Sequence, residues 1–186
     1  MAQLRLVRPD TVVNDYHEEA TEWLKREDGV GREDRTARLQ WIASLMPQVE
    51  HLTFPGGVLS KYHFEEMRYC FVYGQYLAVV VLGLAYIERT LAASFYGAGR
   101  NDLERASIST LLREAVASGM ITGDDFERID HAREIRNAFT HFRRPSHEEN
   151  IEYRAVTENE VPYEVIERDA RHTIETVFNV VERNAV

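Results

Sequence analysis

The stretch Tyr69-Cys70-Phe71-Val72-Tyr73-Gly74-Gln75-Tyr76-Leu77-Ala78-Val79-Val80-Val81-Leu82-Gly83-Leu84-Ala85-Tyr86-Ile87 carries no charge between Arg68 and Glu88. Its centre, Leu77 to Ala85, is as apolar as a membrane span, and the whole is long enough for one. Against a bilayer stand Gln75, four tyrosines, two of them mid-segment, and no Lys/Arg cluster marking a flank. A helix apolar on every side is also what the central helix of an all-α bundle presents. The segment is therefore read as a core helix, with no membrane partner.

The rest of the chain supplies helices to surround it. Thr11 to Glu27 and Arg32 to Met46 read as amphipathic helices joined by Asp28-Gly29-Val30-Gly31, and Pro47 stops the second. After the break at Pro55-Gly56-Gly57, one long helix is expected from Ser60 through Phe95, closed by Gly97 and Gly99. Asn101 with Glu104 reads as an N-cap pair for a helix ending near Ser118-Gly119, and Thr122 with Asp125 as another for a helix to about Phe142. Ser146 to Val161 reads as a polar connection with a short extended piece at Ile151-Glu152-Tyr153-Arg154. Pro162 opens the last helix, to about Asn184, with Val165, Ile166, Thr173, Ile174, Val177, Val180 and Val181 as its buried stripe. The expected fold class is all-α: a four-helix bundle over residues 60–186, with residues 1–59 as an N-terminal helical extension.

Charge narrows the function. With 22 basic against 31 acidic residues the net charge is −9, which excludes gripping nucleic acid through bulk electrostatics. One cysteine, Cys70, excludes an internal disulfide and a cysteine metal cluster and fits a reducing compartment. Met1-Ala2-Gln3-Leu4-Arg5 lacks a leader's apolar run, so a cytoplasmic protein is expected. Neither a Gly-x-Gly-x-x-Gly nor a Gly-Lys-Ser/Thr loop occurs. His63-Phe64-Glu65-Glu66, Glu127 with His131, and Asp169 with His172 fall short of the paired Glu-x-x-His repeats of a di-iron bundle. No metal and no cofactor are expected.

One local feature runs against the acidic average. Arg128-Ile129-Asp130-His131-Ala132-Arg133-Glu134-Ile135-Arg136-Asn137-Ala138-Phe139-Thr140-His141-Phe142-Arg143-Arg144 holds five arginines and two acids, a net of +3. As a helix it should turn Ile135, Phe139 and Phe142 to the core. Arg133, Asn137 and His141 then form one polar stripe, and Arg136, Thr140 and Arg143 the next. Guanidinium forks match phosphate oxygens, and histidine exchanges protons near neutral pH, so such a set suits a phosphodiester. Spacing alone favours a solvated face whose arginines pair with Asp130 and Glu134. Glu88 falls on the stripe Val81, Leu84, Glu88, Leu91 and Phe95; it is either a partly exposed glutamate or a carboxylate orienting Arg136 or Arg133. The acids of Glu148 to Asp169 read as a solvated segment beside the basic one, with docking onto the arginines or shielding of the site as the alternatives.

Arg136-Asn137-Ala138-Phe139-Thr140-His141 resembles the arginine, polar residue, three residues, histidine signature of HEPN domains, all-α bundles found in toxins and RNA-processing proteins. The upstream order is similar too: a long apolar helix bearing Ile87-Glu88-Arg89, a helix with Leu111-Leu112-Arg113-Glu114-Ala115, a glycine turn with Met120-Ile121, then the motif helix. The likeness covers roughly Ser60 to Arg144. It implies a metal-independent endoribonuclease that attacks through the ribose 2′-hydroxyl and works as a homodimer, the two motif helices facing across a cleft. In that scheme Arg136 holds the phosphate, His141 transfers a proton and Asn137 orients the histidine or binds phosphate. Arg133, Arg143 and Arg144 touch the RNA backbone, and Glu88 supports from behind. Toxin–antitoxin or phage-defence use would bring in a separate antitoxin protein. The alternative is a non-catalytic member, or a regulator similar to helical mannitol-repressor-like proteins, which share the glycine turn before such a helix.

Overall fold

The computed structural model describes residues 13–47 and 51–183, and among them it is entirely helical apart from turns. The expected helix start at Thr11, the end at Asn184 and the first residues read for a leader lie outside the described residues. The order is α1 (Val13–Val30), α2 (Arg32–Leu45), α3 (Gly57–Val72), α4 (Tyr76–Gly97), a short 3-10 turn (Asn101–Leu103), α5 (Ile108–Ala117), α6 (Gly123–Thr140), α7 (Ile151–Glu158) and α8 (Pro162–Arg183).

The uncharged stretch is not one helix. It breaks at Gly74, whose φ of +72° only glycine adopts without strain, and the Gln75 N–H closes the turn on the Cys70 carbonyl at 2.8 Å. The chain reverses there, so α3 and α4 pack side by side instead of running on as a single rod. Of the described helices, only α4 is long and apolar enough to cross a membrane. It lies against α3, α5, α6 and α8, burying Val79, Val80, Leu84, Tyr86, Ile87, Leu91 and Phe95. Gly83 sets the closeness: a Cβ there would come within 2.6 Å of Thr173 Cγ2 on α8.

Three other local readings change. Asn101 opens only the 3-10 turn; Ser107 is the true cap of α5, its hydroxyl accepting the Thr110 N–H. Residues 151–154 belong to α7, with the Asn150 side chain accepting the Tyr153 N–H. The acidic segment is docked, not merely solvated: Arg154 grips Asp169 with two bonds of 2.7 and 2.9 Å, fixing α7 to α8, while Arg168 holds Glu158 and Glu160. The Thr122/Asp125 pair does form a reciprocal capping box at the start of α6, and Pro162 does open α8.

The N-terminal pair attaches mostly through arginine and aromatic rings. Trp41 of α2 packs on Phe71 at 5.0 Å, Arg171 of α8 lies 4.6 Å over Trp41, and Arg35 lies 5.3 Å over Tyr73. Ile42 enters the common core. Trp23 on α1, by contrast, stays exposed.

Asp169 is 3% exposed, so removing its charge partner strands a buried carboxylate. Arg154→Ala should cost about 3–5 kcal/mol in urea unfolding, and the double change to Arg154→Met with Asp169→Leu should cost much less. Equal losses in the two proteins would contradict this account of α7.

Candidate functional site

The basic stretch forms most of α6. Ile129, Ala132 and Ile135 are buried and Phe139 is partly so, which fixes the helix against α4 and α8. Phe142 does not continue the buried row, contrary to its period. The helix stops at Thr140, His141 takes an extended conformation as the C-cap, and Phe142 is 90% exposed. The His141 N–H still donates to the Asn137 carbonyl at 3.0 Å, so the motif straddles the last turn.

The candidate residues divide into paired and unpaired. Arg133 donates from Nε to Asp130 at 2.6 Å and has Glu134 at 3.7 Å, and the Asp130 bond holds its guanidinium above its ordinary pKa. Arg143 donates from Nε to Glu149 at 2.5 Å. Arg136 is half-buried with its Nε enclosed and, among the described residues, unpartnered, while its carbonyl accepts the Thr140 hydroxyl. Asn137 is half-buried, and His141 and Arg144 are exposed. Among the described residues no hydrogen bond or ion pair links Arg136, Asn137 and His141 side chains to one another, nor Glu88, half-buried on α4, to any arginine of α6.

What the sequence did not announce is the loop that follows. Pro145 turns the chain, the His147 N–H donates to the Arg144 carbonyl at 2.9 Å, and Asn150 Nδ2 donates to the Arg143 carbonyl at 3.3 Å. Glu149 is drawn onto the arginines, and the Arg143 bond holds its carboxyl below the usual range, with His147 and Arg133 adding attraction. Residues 143–150 thus close into a compact loop in which Arg143 bonds the Glu149 carboxylate and the His147 ring accepts the Glu149 N–H at 3.1 Å. An N-cap asparagine before Ile151 was the only sign of it in the sequence.

Further up α6, the His131 and His172 rings meet edge to face at 4.7 Å, and His172 Nε2 bonds the Arg128 carbonyl at 3.1 Å. Neither pair suggested for metal gains a third ligand: among the described residues no group of three His, Cys, Asp or Glu gathers. Polar hollows occur elsewhere, one of them at the opposite end of α6, lined by Thr122, Asp124, Asp125, Arg128, Asn179, Glu182 and Arg183, where three acids against two arginines disfavour a phosphate. The chain matches no known family model, no curated protein and no solved structure.

Burial pushes His172 below its ordinary value of 6.5, and His131 adds to the shift against the Arg128 carbonyl. The unfolded chain then binds more protons below about pH 6.5, so this contribution is full above that value and is lost on acidification. His172→Gln, which keeps a donor for Arg128, should lose less stability than the parent between about pH 7.5 and about pH 5.5. Parallel losses in urea midpoints would show that His172 does not set the slope.

Proposed function

We propose that the chain is a metal-independent endoribonuclease of HEPN type, cutting RNA at a cleft shared by two copies. The observation that carries this reading is that Arg136 lies near the end of α6 and His141 caps it, directly before the loop in which Arg143 pairs with Glu149. Arg136 stabilises the charge on the phosphorane, as a fixed guanidinium does best where water is partly excluded. Its half-buried position and unpartnered Nε fit that task. His141, exposed at the C-cap, takes the proton of the 2′-hydroxyl. Asn137, whose side chain makes no bond to His141 among the described residues, binds phosphate or orients the histidine once RNA is bound, and Arg133, Arg143 and Arg144 hold flanking phosphates. Such an enzyme belongs in a toxin–antitoxin or phage-defence pair, restrained by a separate antitoxin protein.

A second reading, a non-catalytic bundle that binds a protein partner, is favoured by one observation. Arg133 and Arg143 are already neutralised by Asp130 and Glu149. Incubation of the purified protein with mixed RNA in EDTA separates the two. The ribonuclease should cleave, and both Arg136→Ala and His141→Ala should lose at least about a hundredfold. Added salt should slow it only modestly, because few phosphates are held. Intact RNA at high protein concentration, with no growth defect on expression, would leave the binding module.

A further inference from the structure

We propose that α1 docks its outward face onto a second copy of this chain, in the groove between α2 and α3, each copy giving a helix and receiving one. The inference does not depend on the ribonuclease reading. Its surfaces belong to α1, α2 and α3, whereas the candidate site belongs to α6 and the loop after it.

α1 is a helix that its own chain does not bury. Of its described side chains, Glu18 to Val30, every one except Thr21 is exposed. Thr21 and, seven residues on, Asp28 mark the side turned to α2, where Arg35 donates to the Asp28 carbonyl at 2.8 Å. That contact side is polar. Ala20, Trp23, Leu24 and Glu27, at i, i+3, i+4 and i+7, form another face, with Trp23 about 160° round the helix from Thr21. Isolated helices of this length are marginal in water and draw their stability from burying an apolar face. In α1 that face meets solvent, and Trp23 is 53% exposed.

The same chain carries a hollow that suits this face. About 320 Å³ lies between α2 and α3, lined mainly by Leu39, Ile42, Tyr69, Val72 and Tyr73. Its two charged residues differ. Glu65 has Lys61 at 3.7 Å, whereas Arg68 makes no ion pair among the described residues and its buried Nε lacks a hydrogen bond. A buried donor without a partner is costly, so the groove calls for an acid as well as a ring. α1 supplies both. It holds six acids against Lys25 and Arg26, and Glu27 stands one turn beyond Trp23 on the same face. With Trp23 of one copy in the hollow, its Glu27 meets the Arg68 of the other. α1 does not fill its own groove, because Arg35 holds its polar side to α2 and leaves the apolar face outward. A two-fold axis makes both contacts twice and closes the pair.

Sedimentation of the full chain over a range of concentrations tests this. Glu27→Arg and Arg68→Glu should each weaken self-association about tenfold or more. The two changes together should bring it back near the parental value, since each reversed charge then meets the other. Trp23→Ala should weaken it about thirtyfold or more. Glu27 and Trp23 are exposed, so their variants keep the fold and carry the test even where Arg68→Glu does not fold. Monomers at every concentration overturn the proposal, whether α1 stands free or folds back onto its own groove. A dimer that none of the changes weakens also overturns it, since the copies then join elsewhere. Folded single variants that both weaken association without rescue in the double variant overturn it too, because Glu27 and Arg68 then do not face one another.

Discussion

How closely α8 can lie along α4 governs the molecule. Gly83 has Thr173, Met67 and Val177 within 3.3 Å of where a Cβ would stand, so α3 and α8 meet the same point of α4. A larger residue there forces apart three helices packed at interior density. α6 packs into the groove that α4 and α8 leave, through Ile129, Ala132 and Ile135. The direction of its last turn, and with it the place of Arg136 and His141, follows from that groove. α8 also carries Asp169, which holds α7 and so closes the far side of the 143–150 loop.

The helical character of the chain was legible because its apolar residues recur with a period of 3.6 and its caps are chemically explicit, as at Thr122 and Pro162. The break at Gly74 was hidden by the same apolarity that marked the core. A buried helix and a buried helical hairpin share one composition, and a single glycine with positive φ decides between them. Ile151 to Arg154 misled through β-branched and aromatic residues, whose local preference gives way to the tertiary bond from Arg154 to Asp169. Phe142 obeyed the period but lay two residues past the last helical turn, where the period has no meaning.

At the site, the basic residues could be found by counting charge, and helical spacing named Asp130 and Glu134, which pair with Arg133, but not the carboxylate of Glu149 on Arg143. The sequence shows a +3 stretch in a chain of −9. Only the turn at Pro145 brings Glu149 back to Arg143, six residues away, with the His147 ring accepting the Glu149 N–H. That pairing lowers the free positive charge at the helix end and leaves Arg136 and Arg144 as the arginines there without a carboxylate among the described residues. A phosphate must therefore compete with Glu149 for Arg143. The acidic average of the chain, with a carboxylate seated on Arg143 at the end of α6, leaves little free positive charge there.

The most direct measurement of this account follows the imidazole nitrogens of the histidines by NMR while a 2′-deoxy oligonucleotide, which cannot be cleaved, is added. The account predicts that the ring signals of His141 and His147 move together and saturably, while those of His131, His172 and His63 stay in place. Movement confined to His131 and His172, or no movement at any histidine, would contradict a phosphate site at the end of α6.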